Sequence, residues 1–268
     1  MGRQCHKEDH WLRRRSLSHI QSSTIYNKLF GNIYSATKCT QRCKKIIRER
    51  LSLQGILRKG TNRKEEAHSD YVLSMMEWGK KGESIFKQLC FSGDKEFIWG
   101  GSKFIPMEHF IYNILDFKED IIIGTSPDMK FISSDGVEIP IEIKTQVNTC
   151  ARPWLGNPPA SYAMQNCIQS FAMRTDKGII LRLKYKDNRI ELNNHVEVQA
   201  WFITYDPAFM SNFLTLIKGI KEDIYFRHDK KYFTDGFMRN VDLFYFDCSL
   251  HSENILIEIE KKIRLLHW

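Results

Sequence analysis

The stretch from residue 124 to residue 144 constrains the fold of this chain more than any other, because it predicts a β-hairpin. Two apolar runs flank a Ser-Asp-Gly turn sequence at 134–136, and this pattern is typical of antiparallel strands joined by a tight loop. The first arm begins with Asp128, and the second carries Glu142 and Lys144. Because side chains alternate between the faces of a strand, Glu142 and Lys144 share one face and the neighbouring isoleucines point into a core.

The length of the hairpin loop decides whether the two acidic residues meet. A two-residue turn at 135–136 would place Asp128 opposite Ile143, on the buried side. A three-residue loop at 134–136, with its glycine in the left-handed conformation, would place Asp128 opposite Glu142. We predict the three-residue loop or an equivalent bulge.

Two carboxylates and a lysine on neighbouring strands are typical of a divalent-metal site with a cation beside it. Mg²⁺ prefers oxygen ligands and retains several waters. A bound divalent ion can activate water and stabilise the charge of an in-line phosphoryl displacement. Lys144 could then orient the attacking water or stabilise the pentavalent phosphorane. The alternative is a half-buried strand whose charged residues are solvated on its outer face.

Two motifs in this stretch carry a resemblance to a known family. They are Gly124-x-Ser126-Pro127-Asp128 and Ile141-Glu142-Ile143-Lys144. Together they resemble the PD-(D/E)xK nucleases, and within them the lambda-exonuclease-like, YqaJ-type viral recombinase family. The resemblance implies an α/β fold with a PD-(D/E)xK restriction-endonuclease-like core, in which helices flank a mixed central β-sheet and the site lies at the sheet's edge.

Helical patterns before and after the hairpin add residues to this site. Residues 69–91 predict a helix with a Gly-x-x-x-Glu sequence ending at Glu83. The resemblance matches Glu83 to the family's first acidic position, and Glu77 is its local competitor. A helix after the hairpin places Gln165 and Gln169 on one face. The resemblance implies that Gln165 lies near the metal, with Gln169 as the next best match.

The resemblance implies a Mg²⁺ cofactor, which Mn²⁺ could replace. In this interpretation Lys144 assists the attacking water, and Gln165 orients Lys144 or the substrate. The implied metal ligands are Asp128, Glu142, Glu83 and the backbone carbonyl of Ile143.

Positive charge is concentrated at the start of the chain. The formal net charge is +8, and residues 1–66 hold about sixteen Lys and Arg against about five Asp and Glu, so the remainder is weakly acidic. A helix predicted over 38–53 would expose a basic face, which could contact phosphates or simply be solvated. The basic residues assigned to that face are Arg42, Lys44, Lys45, Arg48 and Arg50.

A terminal 5′-phosphate site is implied by the same resemblance. Trp11 and Arg15 keep a spacing found in the family, and a helix start follows at Ser22 or Ser23, either of which could also be an ordinary N-cap. A helix N-terminus with a guanidinium is a suitable anion site. The residues implied are Arg15, Ser23 and Ser126.

We expect three segments within this organisation: a basic helical segment over 1–66 that belongs to the same fold, a nuclease core over 67–228, and an extension over 229–268 that ends in a helix. Seven cysteines are scattered without paired Cys-x-x-Cys units, so a zinc ribbon is not expected. Reduced thiols predict an intracellular protein, nuclear or cytoplasmic. No apolar run reaches the length of a membrane span, and no membrane partner is expected.

The predicted function is that of a metal-dependent DNA exonuclease that hydrolyses duplex ends from 5′ to 3′, in recombination, repair or viral replication. Its expected partners are double-stranded DNA ends, a single-strand annealing protein and other copies of the chain. One alternative is a DNA-binding module that retains the fold without catalysis. Met129 and Thr145-Gln146 differ from the residues common in the family at these positions, which keeps that alternative open. Endonuclease activity and an RNA substrate are further variants.

Overall fold

Helices and strands alternate along the part of the chain that the computed structural model describes. The described residues are 20–30, 35–53, 70–91, 97–99, 102–107, 112–116, 121–147, 157–185, 196–226, 232–234, 237–238 and 245–250. The helices are α1 (Ser22–Leu29), α2 (Ala36–Leu53), α3 (Asp70–Phe91), α4 (Ala160–Ala172) and α5 (Pro207–Phe226). The strands are β1 (Ile20–Gln21), β2 (Phe97–Trp99), β3 (Ser102–Pro106), β4 (Tyr112–Asp116), β5 (Ile121–Thr125), β6 (Met129–Ile132), β7 (Glu138–Val147), β8 (Lys177–Tyr185), β9 (Val196–Tyr205) and β10 (Tyr245–Leu250).

The helices predicted over 38–53 and 69–91 and after the hairpin are confirmed. The helix predicted near the C-terminus lies outside the described residues. Strand β7 continues past Lys144 to Val147. The ladder between β7 and β8 runs from the pair Ile141–Ile179 to the pair Val147–Tyr185.

A seven-stranded sheet in the order β10-β9-β8-β7-β6-β3-β2 forms the centre of the described fold. Neighbouring strands are antiparallel except β7 and β8, which are parallel. Parallel neighbours need a crossover connection, and α4 supplies it between them. The architecture is therefore mixed α/β, with helices flanking a mostly antiparallel sheet.

A second sheet, in the order β1-β5-β4, departs from the single central sheet that the sequence predicts. Strand β5 pairs in parallel with β1 and antiparallel with β4, so it does not continue into the large sheet. The chain leaves the small sheet after Thr125 and enters the large one at Met129. The three residues at 126–128 therefore form the junction between the two sheets.

The site was expected at the edge of the sheet, and it lies on a strand that is central in the strand order but whose ladder with β6 ends at Ile141. Strand β7 is the fourth of seven strands, with β6 on one side and β8 on the other. The α4 crossover brings β8 against β7, which removes the free edge that the hairpin would otherwise have. Glu142 and Lys144 consequently lie beside β8 on one side and past the end of the β6 ladder on the other.

The large sheet separates two apolar clusters of buried residues. One cluster lies under α1, α2, α4 and α5 and includes Leu29, Cys43 and Phe213. The other lies under α3 and includes Phe86 and Ile141. Burial of such side chains from water is the main favourable term in folding. The basic N-terminal helices α1 and α2 are thus packed into the same core as α4 and α5.

The register predicted for the hairpin is confirmed. Met129 pairs with Ile141 and Ile132 pairs with Glu138, and the N–H of Ser133 donates to the Val137 carbonyl at 3.0 Å. The loop holds three residues, 134–136. Its last residue, Gly136, has a φ of 83°, the left-handed conformation that glycine adopts without strain.

Helix α2 exposes only part of the basic face that the sequence predicts. Arg42, Lys45 and Arg48 are exposed, but Lys44 is 6% exposed and its Nζ lies 2.9 Å from an Asp223 carboxylate oxygen on α5. The prediction for Lys44 was wrong because its partner is far away in the sequence. A buried ammonium needs a paired carboxylate, and α5 provides one.

Among the described helices, none combines the length and the apolar character needed to cross a bilayer.

Removal of the Lys44 charge should destabilise the protein strongly, because it leaves Asp223 buried without its cation. We expect Lys44→Met to lower the free energy of unfolding by about 3–5 kcal/mol, measured by urea denaturation. Lys45→Met, the adjacent exposed residue, should change it by less than about 0.5 kcal/mol. The double variant Lys44→Met/Asp223→Leu should recover much of the loss, and equal effects of Lys44→Met and Lys45→Met would contradict this assignment.

Candidate active site

The Glu142 carboxylate is the centre of the candidate site and is almost withdrawn from solvent. Glu142 and Lys144 lie on one face of β7, as predicted, and Ile141 and Ile143 are buried in the α3-side cluster. Glu142 is 3% exposed, and Lys144 Nζ donates to its Oε1 at 2.6 Å. The alternative of charges solvated on an outer face is therefore wrong for Glu142.

Two glutamines of α4 complete the shell of donors around Glu142. Gln165 Nε2 donates to Oε1 at 2.6 Å, and Gln169 Nε2 donates to Oε2 at 2.5 Å. Gln165 Oε1 also accepts from Lys144 Nζ at 3.1 Å, so its amide bridges the acid and the lysine. Burial of a carboxylate is tolerated only with such charge-assisted hydrogen bonds.

Tyr162, one turn before Gln165, borders the lysine on its other side. Lys144 Nζ lies 4.7 Å from the centre of the Tyr162 ring, a distance at which an ammonium is attracted to the ring face. Helix α4 therefore presents an aromatic ring and two amides, at spacings of three and four residues, to the charged face of β7. These contacts fix the Lys144 side chain from three directions.

Asp128 lies where the pairing between β6 and β7 ends. The last pair of that ladder is Met129 with Ile141, so Asp128 comes one residue before the ladder begins. The Asp128 N–H donates to the Ile141 carbonyl at 3.1 Å, and the Ile143 N–H donates to Asp128 Oδ2 at 2.7 Å. The Ile143 N–H thus donates to the Asp128 side chain instead of to a backbone carbonyl of β6. The Ile143 carbonyl points to the same edge of β7 as the Ile143 N–H.

The charges of the site perturb one another in opposite directions. Burial, followed by the nearby charges of Glu142 and Glu83, raises the pKa of Asp128 well above its ordinary value of 3.8. Burial alone would lower the pKa of Lys144, but Glu142 and Asp128 outweigh it and raise that pKa above 10.5. The lysine is therefore an ammonium at neutral pH, and the carboxylates repel one another.

Glu83 reaches the site from α3, on the opposite side of the sheet from α4. Its charge acts on Asp128, while its Oε1 pairs with Lys87 Nζ one turn later at 2.5 Å. This places the predicted third carboxylate within electrostatic range of Asp128. The predicted competitor, Glu77, is exposed.

The close approach of α3 to β7 depends on Gly82. A Cβ atom on Gly82 would lie 2.5 Å from Thr145 Cγ2, which is too close for any real contact. Thr145 Oγ1 donates to the Gly79 carbonyl at 3.3 Å, and the Tyr185 hydroxyl donates to the Gly82 carbonyl at 3.2 Å. These contacts hold the part of α3 that carries Glu83 against β7.

The donor set fits a hard divalent cation in kind. Carboxylate and backbone carbonyl oxygens are the ligands that Mg²⁺ prefers, and the mutual repulsion around Asp128 would be relieved by a cation. A carboxylate has about four lone-pair positions, and the three donors above occupy three of them on Glu142. Among the described residues, however, no three His, Cys, Asp or Glu side chains are already grouped closely enough to hold a metal ion.

The residues predicted to bind a terminal phosphate are only partly described. Ser22 Oγ donates to Thr125 Oγ1 at 2.9 Å, which ties the start of α1 to the end of β5. Ser23, which is exposed, and Ser126, which is half-buried, each adjoin one member of that pair. Ser22 thus links the start of α1 to the end of β5. Arg15 lies outside the described residues.

Sequence analysis missed or undervalued several contributors to this arrangement. Gln169 was ranked behind Gln165, yet it binds the other oxygen of Glu142 and also donates to the Ser126 carbonyl at 3.3 Å. The packing role of Gly82 was not predicted from the sequence. A buried amide on an apolar helical face, such as Asn166, was the signal that could have pointed to a polar network.

Comparisons of the chain with protein-family models, with curated proteins and with solved structures give no match. The function proposed below therefore rests on the geometry around Glu142. The resemblance drawn from the two sequence motifs stays a prediction.

Gly82→Ala should separate α3 from β7, because the added methyl group meets the Thr145 side chain. We expect a loss of about 1–3 kcal/mol in the free energy of unfolding, measured by urea denaturation. Gly79→Ala is the matched control, since a Cβ there meets nothing within 4 Å and should stabilise the helix by up to about 1 kcal/mol. Adding Thr145→Ala to Gly82→Ala should recover part of the loss. Similar effects at both glycines would rule out this packing role.

Asp128→Asn should stabilise the metal-free protein at neutral pH, because it removes a carboxylate that is costly to ionise. With a raised folded pKa, the native state binds more protons than the unfolded state above pH 3.8, so wild-type stability falls as pH rises through that window. The stability of the Asp128→Asn variant should not decrease with pH in this way. In EDTA, its melting temperature should exceed that of wild type at pH 7, and the gap should close toward pH 3. A variant that is less stable at pH 7 would refute the assignment.

Proposed function

We propose that this chain is a Mg²⁺-dependent deoxyribonuclease of the PD-(D/E)xK type, acting as an exonuclease on duplex DNA ends from 5′ to 3′. The observation that carries the proposal is the buried arrangement of Glu142 and Lys144 on one face of β7, with Asp128 beside them. A structural strand has no need of a buried carboxylate surrounded by three donors next to a second carboxylate whose pKa is raised. Perturbed charged groups of this kind cluster at functional sites.

The resident cation would be held by Asp128, Glu142, Glu83 and the Ile143 carbonyl. When bound, it would supply an activated water and neutralise charge on the phosphate under attack. Lys144 remains protonated beside Glu142, so it acts as a hydrogen-bond donor and positive charge rather than as a base. Positive charge held in advance where negative charge develops in the transition state makes the largest single contribution to the rate enhancement of many enzymes.

Gln165 has the geometry of a residue that sets the direction of Lys144. Its Oε1 accepts from Lys144 Nζ, while its Nε2 donates to Glu142. Because both partners fix the amide orientation, the ammonium cannot turn away from α4 without losing an acceptor. Gln165 therefore holds the lysine in place for the reacting phosphate.

The start of α1 and the junction at 126–128 support a substrate end close to this centre. The first N–H groups of a helix attract anions, and the Ser22–Thr125 bond brings this helix start beside Ser126. A terminal phosphate held by Ser23 and Ser126, together with Arg15, would set which bond of the strand meets Lys144. That arrangement would give cleavage from the 5′ end.

A second candidate is a nuclease-fold module that binds DNA without cleaving it. The three donors that already surround Glu142, and the lack of a preformed group of three metal-ligating side chains among the described residues, favour this candidate. The charge repulsion at Asp128 counts against it, because a binding module gains nothing from an unfavourable carboxylate. Catalysis by the wild-type chain separates the two.

Degradation of linear 5′-phosphorylated duplex DNA with Mg²⁺ tests the proposal directly. Wild type should release nucleotides from the 5′-labelled end before the 3′-labelled end, and a 5′-hydroxyl end should be degraded more slowly. Lys144→Ala should lower kcat by about 100-fold or more. Lys130→Ala is the matched control on the same hairpin. The lysine side chain there is 21% exposed and ion-paired with Glu138, as Lys144 is 21% exposed and paired with Glu142.

Three results would count against the exonuclease. Equal inactivity of wild type and Lys144→Ala, with duplex binding retained, would support the non-catalytic module. Nicking of closed circular DNA would indicate an endonuclease. Equal losses in Lys144→Ala and Lys130→Ala would show that the effect of Lys144 is on folding rather than on the reaction.

A further inference from the structure

A chain of buried amides extends from Glu142 into the interior of the protein. Gln169 Nε2 donates to Glu142 Oε2 at 2.5 Å and to the Ser126 carbonyl at 3.3 Å. Both partners only accept hydrogen bonds, so the NH₂ group of Gln169 must face them. Its Oε1 is thereby directed away from Glu142, toward a donor on Asn166.

Asn166 continues the chain with the same polarity. Its Nδ2 donates to Gln169 Oε1 at 3.1 Å and to the Pro140 carbonyl at 3.4 Å. Its Oδ1 accepts from the Tyr205 hydroxyl at 2.8 Å. If Asn166 were flipped, its oxygen would face two acceptors. The hydrogen bonds therefore allow one orientation of each amide, and the Tyr205 hydroxyl ends the chain as a donor.

The chain is enclosed as well as hydrogen-bonded. Asn166 and Gln169 are both 0% exposed, and Tyr205 is 3% exposed, so water cannot replace a lost partner without a cavity opening. A Cβ atom on Gly178 of β8 would lie 2.0 Å from Asn166 Oδ1 and 2.8 Å from a Tyr205 ring carbon. Only a glycine at that position of β8 leaves room for the carboxamide.

We propose that Asn166 and Tyr205 are positioning residues that fix the orientation of Gln169 and, through it, the direction of the Glu142 carboxylate. Without them Gln169 Oε1 would lose its donor, and the Gln169 carboxamide would no longer be held at both ends against Glu142 Oε2. Residues that orient a metal-binding carboxylate in this way commonly change metal affinity or activity by about 10–100-fold when they are removed. The inference rests on the proposed function, since it gives the network a role only if Glu142 holds a cation.

The same network would also set the separation of two parts of the site. Gln169 contacts both the Glu142 carboxylate and the backbone of Ser126. One rigid amide therefore joins the carboxylate centre to the residue expected to hold the terminal phosphate. Its orientation would fix the distance between the end of the DNA strand and the bond that is cleaved.

Tyr205→Phe tests the network with the loss of a single oxygen atom. We expect the Mn²⁺ dissociation constant, measured by electron paramagnetic resonance on the full chain, to rise about 10-fold. In the nuclease assay kcat should fall by a similar factor, while KM for duplex DNA stays within about twofold. Gly178→Ala, whose added methyl group meets the Asn166 carboxamide and the Tyr205 ring, should have the same two effects.

Each variant has a matched control remote from the network. Tyr232→Phe removes a hydroxyl that donates to Asp223 at 2.9 Å. Gly219→Ala adds a methyl group that would lie 2.3 Å from a Tyr232 ring carbon. Both should leave Mn²⁺ binding and kcat unchanged even where they lower the melting temperature. Melting temperatures of all four variants separate loss of stability from loss of positioning.

The outcomes distinguish this inference from the function on which it rests. If wild type binds Mn²⁺ and cleaves DNA while Tyr205→Phe behaves like Tyr232→Phe, the positioning role is overturned and the nuclease stands. If wild type neither binds Mn²⁺ nor cleaves DNA, both are overturned. A 10-fold loss of Mn²⁺ affinity confined to Tyr205→Phe and Gly178→Ala is the expected result.

Discussion

The rest of the site depends on the burial of one carboxylate, Glu142. A carboxylate withdrawn from water loses several kcal/mol of hydration free energy, which only paired charge and hydrogen bonds can restore. Lys144 supplies the charge, and Gln165 and Gln169 supply the remaining donors. Because both glutamines come from α4, the carboxylate can be buried only if α4 lies over β7. The parallel pairing of β7 with β8 places it there, since the crossover between these strands is α4.

The position of the second carboxylate, Asp128, depends on a different constraint. The chain passes from the small sheet to the large sheet at this point. Strand β5 belongs to the small sheet and β6 to the large one, so the residues at 126–128 cannot continue either ladder. Asp128 bonds to β7 through its backbone N–H and its carboxylate instead. This fixes a negative charge beside Glu142 at a cost to stability, which is the kind of cost that active sites impose on folds. In the proposed function, a bound cation would offset this cost.

Features of the site that depend on local geometry were predictable from the sequence, whereas those that depend on distant partners were not. The period of two along a strand gives the shared face of Glu142 and Lys144, and Gly136 gives the loop that sets the register. No local pattern shows that Lys44 meets Asp223, so its burial was missed. The separate sheet of β5 was missed for the same reason, because apolar alternation predicts a strand but not its neighbours.

Helices α3 and α4 contribute residues to the candidate site from opposite faces of the large sheet. A change in the hairpin register would therefore change which residues of β7 each helix meets. Glu83 comes from α3 through the Gly82 contact, whereas the glutamines come from α4. Asp128 can interact with both because its carboxylate lies at the end of the β6 ladder, bonded to the edge of β7 rather than packed on one face. A slip of one residue in β7 would turn Glu142 toward α3 and replace it with an isoleucine under α4. The buried amides would then face a hydrocarbon side chain, and each unpaired amide would oppose that register. The same polar network that holds the carboxylate therefore also selects the strand pairing that creates the site.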